Sequence, residues 1–120
     1  MVLVDTSIWI AHLREGRSRL GELLEDAGVA CHPFIIGELA CGNLKNRAEL
    51  LSLFHALTLV TILEHEELLY FIEHNKVMGK GLGFVDMHLL ASACLAHIPL
   101  WSFDKKLHAV AAQLKIAYIE

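Results

Sequence analysis

Val2-Leu3-Val4-Asp5-Thr6-Ser7, at the start of the chain, is the stretch that decides the fold. Its first three residues are apolar and β-prone, and they predict a short buried strand. Its last three residues all favour helix N-caps, so a helix should follow at once, over roughly residues 8–13. Passing directly from a strand into a helix is typical of a parallel α/β sheet. It also places Asp5 at the carboxyl edge of that sheet.

The rest of the chain repeats this alternation of short apolar strands and amphipathic helices. We predict further strands over 29–32, 58–62, 99–103 and 116–119. We predict further helices over 17–27, 34–41, 46–56, 64–78, 84–97 and 104–114. Strands separated by helices indicate a parallel sheet with helices on both faces. With 120 residues, the chain should form a single domain over 1–120.

Four carboxylates lie inside otherwise apolar stretches: Asp5, Glu38, Asp86 and Asp104. Acidic side chains are almost never fully buried unless they are paired or bound to a metal ion. Asp5 and Asp104 each follow a predicted strand and precede a helix, so they should share one edge of the sheet. Two unit charges about 4 Å apart repel by about 1 kcal/mol in water and about 4 kcal/mol at an effective dielectric of 20. A cluster of such acids therefore predicts a site for a cation.

Each acid also has a purely structural interpretation. Asp5 and Asp104 could be ordinary N-caps of the helices that follow them. Asp86, in the first turn of its helix, could simply favour the positive end of the helix dipole. Glu38 could form an ion pair with Lys45 or Arg47.

The donor type selects the ion. Carboxylate oxygens suit Mg²⁺ or Mn²⁺. Zinc is disfavoured, because none of the eight histidines are spaced i,i+3 or i,i+4 and the cysteines show no ligand spacing. We expect most histidines to be at the surface or half-buried. Ser7 and Ser102 could orient carboxylates or waters, or they could be a cap and an ordinary strand residue.

Composition restricts the classes of protein that fit. The net charge of −4 argues against a protein that merely coats nucleic acid. The apolar fraction of 55% indicates either a tightly packed small domain or apolar surface covered by a partner or a second copy. The three cysteines lack C-x-x-C spacing and predict buried free thiols. With no signal-peptide pattern and no membrane span, we expect a cytoplasmic protein.

Four motifs, in this order and spacing, resemble the PIN-domain ribonucleases, and most closely the VapC-like toxins of toxin–antitoxin pairs. They are Val4-Asp5-Thr6-Ser7, Gly37-Glu38-Leu39, Gly83-Phe84-Val85-Asp86-x-x-Leu89-Leu90-Ala91-Ser92-Ala93, and Leu100-Trp101-Ser102-x-Asp104-Lys105-x-Leu107. The resemblance covers essentially the whole chain. Ser102 occupies a place where the family often has Thr, and Phe103 stands where many members carry a polar or basic residue.

The resemblance implies a three-layer α/β/α sandwich with a central parallel sheet and a Mg²⁺- or Mn²⁺-dependent endoribonuclease activity. The four acids match the family's acidic positions one by one. Asp5 and Asp86 would hold the ion, and Glu38 and Asp104 would complete or orient its shell. Toxins of this kind typically form homodimers and are silenced by a small antitoxin that covers the site.

Four basic residues are candidates for contact with the RNA backbone, although charged side chains are usually plain solvated surface. They are Arg14, Lys45, Lys80 and Lys105. Three other functions remain open: a housekeeping PIN nuclease acting on RNA or DNA, a non-catalytic binding module on the same fold, and a phosphoacceptor receiver domain. The last fits poorly, because Asp5 lacks a paired acid and no acid ends the third strand.

Overall fold

A computed structural model describes residues 1–16 and 18–120. At its centre is a four-stranded sheet in the order β3-β2-β1-β4. Every strand pair in it is parallel. The strands are β1 (Val2–Val4), β2 (Val29–Cys31), β3 (Thr58–Leu59) and β4 (Leu100–Trp101). Leu3, in the middle of β1, pairs with Ala30 on one side and with Leu100 on the other, which makes β1 a central, fully buried strand.

Helices cover both faces of the sheet. They are α1 (Thr6–Glu15), α2 (Ser18–Glu25), α3 (Pro33–Ala40), α4 (Arg47–Ala56), α5 (His65–Asn75), α6 (Phe84–Ala96) and α7 (Lys105–Gln113). The chain moves from β1 to β2 to β3 in one direction and then crosses back to β4. Right-handed crossovers therefore place α1 to α4 on one face and α5 and α6 on the other. The predicted α/β/α sandwich with a parallel sheet is confirmed.

The core lies between the sheet and these two helix layers. On one face, the ring of Trp9 in α1 meets the ring of Phe54 in α4 edge-on, with centroids 5.0 Å apart. On the other face, α6 buries Leu89 and Leu90 completely. Among the described residues, no helix is long and apolar enough to cross a membrane.

All four further strands are shorter than predicted: β2 ends one residue early, and β4 covers only Leu100–Trp101 of the predicted 99–103. β3 ends at Leu59, because its partner β2 ends just before α3 begins. Beyond Leu59, the Val60 N–H still donates to the Cys31 carbonyl oxygen at 2.9 Å. The predicted last strand is reduced to a single bridge between Leu100 and Ala117. It lies at the sheet edge beside a two-residue strand, so little ladder is available to extend it.

The observed helix ends differ from the predicted ones where a capping residue fixes the first or last residue of the helix. α1 begins two residues early, because Asp5 itself is the N-cap. Pro33, predicted to end β2, instead opens α3, where its missing N–H is tolerated. α5 ends at Asn75, because Lys76 adopts a left-handed conformation with φ 53°. The predicted first residue of the second helix, Arg17, lies outside the described residues.

Some histidines and cysteines depart from the expected burial, and the thiol of Cys94 is only half-buried. Most histidines are at the surface or half-buried as expected, but His32 and His88 are buried. His32 caps α3, since its Nδ1 accepts a hydrogen bond from the Phe34 N–H at 3.0 Å. Burial, with a smaller contribution from His88, lowers the pKa of His32 to about 4. All three cysteines are free, but Cys41 is exposed rather than buried.

We predict that His32 makes the fold sensitive to acid. The unfolded chain protonates this histidine below about pH 6.5, whereas the folded protein resists protonation down to about pH 4. The free energy of unfolding should therefore fall as pH drops through that window. Asn at this position still offers an acceptor to the cap and does not titrate. In urea unfolding, His32→Asn should show a shallower pH dependence than the wild type.

Carboxylates titrate in both proteins, so the difference between the two slopes isolates His32. His88, whose ring centroid lies 6.2 Å away, is the titratable group that faces it. His55→Asn, at an exposed position, is the control and should keep the wild-type slope. Equal slopes for the wild type and His32→Asn would show that the buried imidazole does not set the acid response.

Candidate active site

The candidate site lies at the carboxyl ends of β1 and β4. Strand order reverses here, because β2 lies on one side of β1 and the last strand of the sheet, β4, on the other. In open α/β sheets, the crevice outside such a switch point is the usual place for ligands. Asp5 directly follows β1, and Ser102 directly follows β4.

Asp5 is a buried carboxylate with donors on both oxygens. The side chain is 8% exposed. Its Oδ1 accepts from the Thr6 N–H at 2.7 Å, which is the N-cap bond of α1. Its Oδ2 accepts from the hydroxyls of Ser7 at 3.0 Å and Ser102 at 2.6 Å. These bonds allow the carboxylate to be buried and fix its orientation.

The two serines connect Asp5 to the turn that follows β4. Ser7 Oγ accepts from the Phe103 N–H at 3.0 Å, and Ser102 Oγ accepts from the Asp104 N–H at 3.0 Å. Each hydroxyl therefore donates to Asp5 while it accepts from the backbone of this turn. β4 ends at Trp101, so Ser102 is not an ordinary strand residue. Phe103 contributes its backbone here, and its side chain is 44% exposed.

Asp104 and Asp86 both accept a backbone N–H at the start of their own helices. Asp104 is the N-cap of α7, and its Oδ1 accepts from the Leu107 N–H at 3.0 Å. Asp86 is in the first turn of α6, and its Oδ2 accepts from the Gly83 N–H at 3.1 Å. The local structural interpretation of these acids is therefore correct. Within residues 1–16 and 18–120, however, no hydrogen bond reaches the other oxygen of either carboxylate.

Electrostatics connects Asp86 with Asp5 and Asp104. Burial is the main cause that raises the pKa of Asp86, and the negative charges of Asp5 and Asp104 raise it further. The Gly83 N–H opposes this rise by stabilising the ionised form. Asp86 is thus close enough to the other two carboxylates for their charges to act on it, and a cation beside Asp86 would offset that effect.

Glu38 joins the site through Thr6. It lies on α3 with an exposed side chain, and its Oε1 accepts from the Thr6 hydroxyl at 3.0 Å. No ion pair with Lys45 or Arg47 is found among the described residues, so that alternative is wrong. Arg47 instead donates to backbone carbonyls at the C-terminal end of α3. From the sequence, Thr6 is predicted only to favour a helix N-cap. The feature that points to a role of Thr6 in the site is its position directly after Asp5.

A groove opens beside Glu38, between α1 and the connection from α3 to α4. Its volume is about 810 Å³. Both Arg14 and Lys45, two of the four predicted RNA contacts, line it together with Thr6 and Glu38. Apolar side chains form much of the remaining wall: Ile10, Leu13, Leu39, Leu44 and Leu50.

The other two predicted cations, Lys80 and Lys105, are exposed and make no described contact with the acids. Lys106, which is not among the four predicted RNA contacts, lies against the loop before α6. Gly81 has a φ of +78°, which favours glycine, and a Cβ there would stand 3.0 Å from Lys106 Cδ, so the lysine side chain would have to shift.

The donors at this edge fit a hard divalent ion by their chemistry. All of them are carboxylate or hydroxyl oxygens, which suit Mg²⁺ or Mn²⁺. In the described part of the chain, no three His, Cys, Asp or Glu side chains are close enough to form a ready-made ion site. Mg²⁺ keeps several waters and is usually held by only one or two carboxylates, so direct ligation by Asp5 and Asp86 alone would suffice.

Comparisons with known proteins agree with this fold. Residues 2–113 match the PIN domain family, and the chain belongs to that family. Ribonuclease VapC32 of Mycobacterium tuberculosis, from strains CDC 1551 / Oshkosh and ATCC 25618 / H37Rv, is 43% identical over 121 residues, covering 100% of this chain and 98% of the relative. The resemblance found in the sequence is thereby confirmed.

A solved structure shares the fold at low sequence identity. The crystal structure of PAE2754 from Pyrobaculum aerophilum superimposes with a TM-score of 0.65 at 15% identity, covering 95% of this chain and 94% of that chain. This likeness supports the fold alone.

We predict that neutralising Asp86 stabilises the folded protein and removes its response to metal. A raised folded-state pKa means that ionisation costs stability as pH rises through it, and Asn avoids that cost while still accepting from Gly83. The melting temperature of Asp86→Asn at pH 7 should exceed that of the wild type. Added Mn²⁺ should raise the melting temperature of the wild type by mass action and leave the variant unchanged.

Glu49→Gln is the matched control, because Glu49 is also an acid in the first turn of its helix. It should not gain stability, and it should keep the Mn²⁺ shift. A variant Asp86→Asn that still shifts with Mn²⁺ as the wild type does would place the ion elsewhere.

Proposed function

We propose that the protein is a Mg²⁺- or Mn²⁺-dependent endoribonuclease, formed by one domain over residues 1–120, that acts as the toxin of a toxin–antitoxin pair. The observation that carries the proposal is the placement of Asp5, which directly follows β1, and Asp104, which caps α7 just after β4, at the switch point of the sheet. The charges of both act on Asp86 and help to raise its pKa. A relative that is 43% identical over the whole chain is named a ribonuclease, which supports RNA as the substrate.

In this proposal Asp5 and Asp86 hold the ion, and Glu38 and Asp104 complete or orient its shell. The chemistry that a divalent ion supplies there is Lewis-acid stabilisation of charge on the scissile phosphate and a lowered pKa for an attacking water. Ser7 and Ser102 fix the Asp5 carboxylate through its Oδ2, so that little reorganisation is needed when substrate arrives.

Phosphate binding requires local cations, because the chain as a whole carries a net charge of −4. Arg14 and Lys45 line the groove that reaches Glu38, and they are the first candidates for contact with the RNA backbone. Lys80, Lys105 and Lys106 would act from the opposite side, around the loop before α6 and the start of α7.

The groove also fits a small antitoxin. Its apolar walls offer burial to a partner segment, and its end is formed by Thr6 and Glu38. A basic side chain of the partner could bind the carboxylates by charge-assisted hydrogen bonds and so exclude both the ion and the phosphate. A partner seated there would cover the site directly.

A second apolar groove lies on the opposite helix layer, between α5 and α6. Its volume is about 700 Å³. Tyr70 is 67% exposed and Leu95 is 56% exposed on this surface. We assign it to a second copy of the chain, which would give a cytoplasmic homodimer with both active sites facing away from the dimer contact.

Removing one charge from Asp5 should abolish cleavage without unfolding the protein. In Asp5→Asn, the remaining oxygen can still accept from Thr6, and the serine hydroxyls can rotate to accept from the new amide. RNA cleavage should fall at least about 100-fold, and the circular dichroism spectrum should not change. EDTA should inactivate the wild type, and Mg²⁺ or Mn²⁺ should restore it.

Glu73→Gln, at an exposed acid of α5 outside both grooves, is the control and should cleave as the wild type does. Full activity of Asp5→Asn, or activity that survives EDTA, would contradict the proposed metal-dependent nuclease. Cleavage of DNA as well as RNA would point to a housekeeping nuclease rather than a toxin.

Expression in a bacterial host tests the biological assignment separately. The wild type alone should arrest growth, because an uninhibited ribonuclease destroys essential RNA, and Asp5→Asn should not. Co-expression with the small gene adjacent to that of this protein should restore growth and give a complex on gel filtration. A harmless wild type with no co-purifying neighbour would contradict the toxin assignment while leaving nuclease activity possible.

A further inference from the structure

We infer that Thr6 is a positioning residue that fixes the Glu38 carboxylate relative to Asp5 through its hydroxyl group. The inference rests on the proposed function, since it concerns the geometry of the same metal site. Thr6 bonds to both acids at once: its N–H donates to Asp5 Oδ1 at 2.7 Å, and its hydroxyl donates to Glu38 Oε1 at 3.0 Å.

Thr6 is free to make the second bond because Asp5 already caps α1. A threonine at the N-cap position turns its hydroxyl towards the first turn, where the oxygen accepts from a backbone N–H. Here the capping bond is made by the Asp5 side chain, and Thr6 is the first residue of the helix itself. Its only hydroxyl proton can therefore go to Glu38. A β-branched side chain also has few rotamers, so the donor is held stiffly.

Glu38 needs such a constraint more than the three aspartates do. Asp5, Asp86 and Asp104 each accept a hydrogen bond from a backbone N–H of their own helix start. Glu38 lies at the other end of a helix, on an exposed surface, and its side chain has more rotatable bonds. The Thr6 hydroxyl is the hydrogen-bond donor that the described residues offer it.

The bond also joins parts of the chain that are far apart in sequence. Thr6 is the first residue of α1, just after β1, whereas Glu38 belongs to α3 after β2, 32 residues later. Since α1 and α3 pack side by side, a small sliding of one against the other would move Glu38 away from Asp5. The Thr6 hydroxyl opposes that movement within the site itself, as partners of metal-binding carboxylates commonly do.

Thr6→Val removes only the hydroxyl, since it keeps the side-chain shape and the N–H to Asp5. We expect the apparent affinity for Mn²⁺, measured without RNA from the rise in melting temperature with ion concentration, to fall about 10-fold. RNA cleavage at low Mg²⁺ should fall in parallel and should recover in part at high Mg²⁺. Thr6→Ser, which restores a hydroxyl, should recover most of the affinity.

A double-mutant cycle shows whether Thr6 acts through Glu38. If it does, Thr6→Val should add little to the loss of Mn²⁺ affinity already caused by Glu38→Ala. Thr58→Val, at an exposed threonine of β3, is the matched control and should bind Mn²⁺ as the wild type does. An unchanged melting temperature of Thr6→Val without ion would show that its fold is intact. If that melting temperature is lowered, the Mn²⁺ affinity of Thr6→Ser decides whether the missing hydroxyl causes the loss.

The positioning role and the proposed function fail in different ways. If Asp5→Asn is inactive while Thr6→Val binds Mn²⁺ and cleaves RNA like the wild type, only the positioning role is wrong. The same holds if Thr6→Val loses as much affinity in the Glu38→Ala background as it does alone. If Asp5→Asn remains active, the nuclease site itself is wrong.

Discussion

A buried carboxylate at the end of the central strand is the constraint on which the rest of the structure depends. Asp5 is 8% exposed, and its burial is possible only because the backbone of α1 and two serine hydroxyls satisfy its oxygens. Those serines in turn accept from the turn after β4, so the bonds that orient Asp5 also join β1 to β4 at their carboxyl ends. Stability and site geometry therefore rest on the same few hydrogen bonds.

Capping a helix and binding a cation are compatible roles for an aspartate. A cap uses one carboxylate oxygen and holds it firmly against the first turn, which leaves the other oxygen in a fixed direction. Asp86 and Asp104 both follow this pattern. The arrangement disfavours the ionised carboxylate: at Asp86, burial and the two neighbouring charges favour the protonated form. A bound cation would stabilise the ionised form instead. An acidic chain can then bind a polyanion where its own charges are neutralised.

The sequence was sufficient for features fixed by local signals and insufficient for those fixed by contact. Apolar strands followed by capping residues predict the parallel sheet and the position of Asp5, because both depend on neighbours in the chain. The prediction of a last strand over 116–119 was wrong, because the length of that strand depends on its neighbour β4, which has only two residues. The burial of His32 and the bond from Thr6 to Glu38 depend on packing between distant segments, and no local pattern encodes either.

Helix α3 lies between the groove and the candidate active site. His32 caps its start, Arg47 binds the carbonyl oxygens at its end, and Glu38 lies between them, so the helix is constrained along its whole length. In the proposed function, a partner in the groove would contact α1 and α3 on both sides of the bond between Thr6 and Glu38. Because Thr6 and Glu38 themselves line the groove, such a partner would lie directly against the hydrogen bond that orients Glu38 in the site.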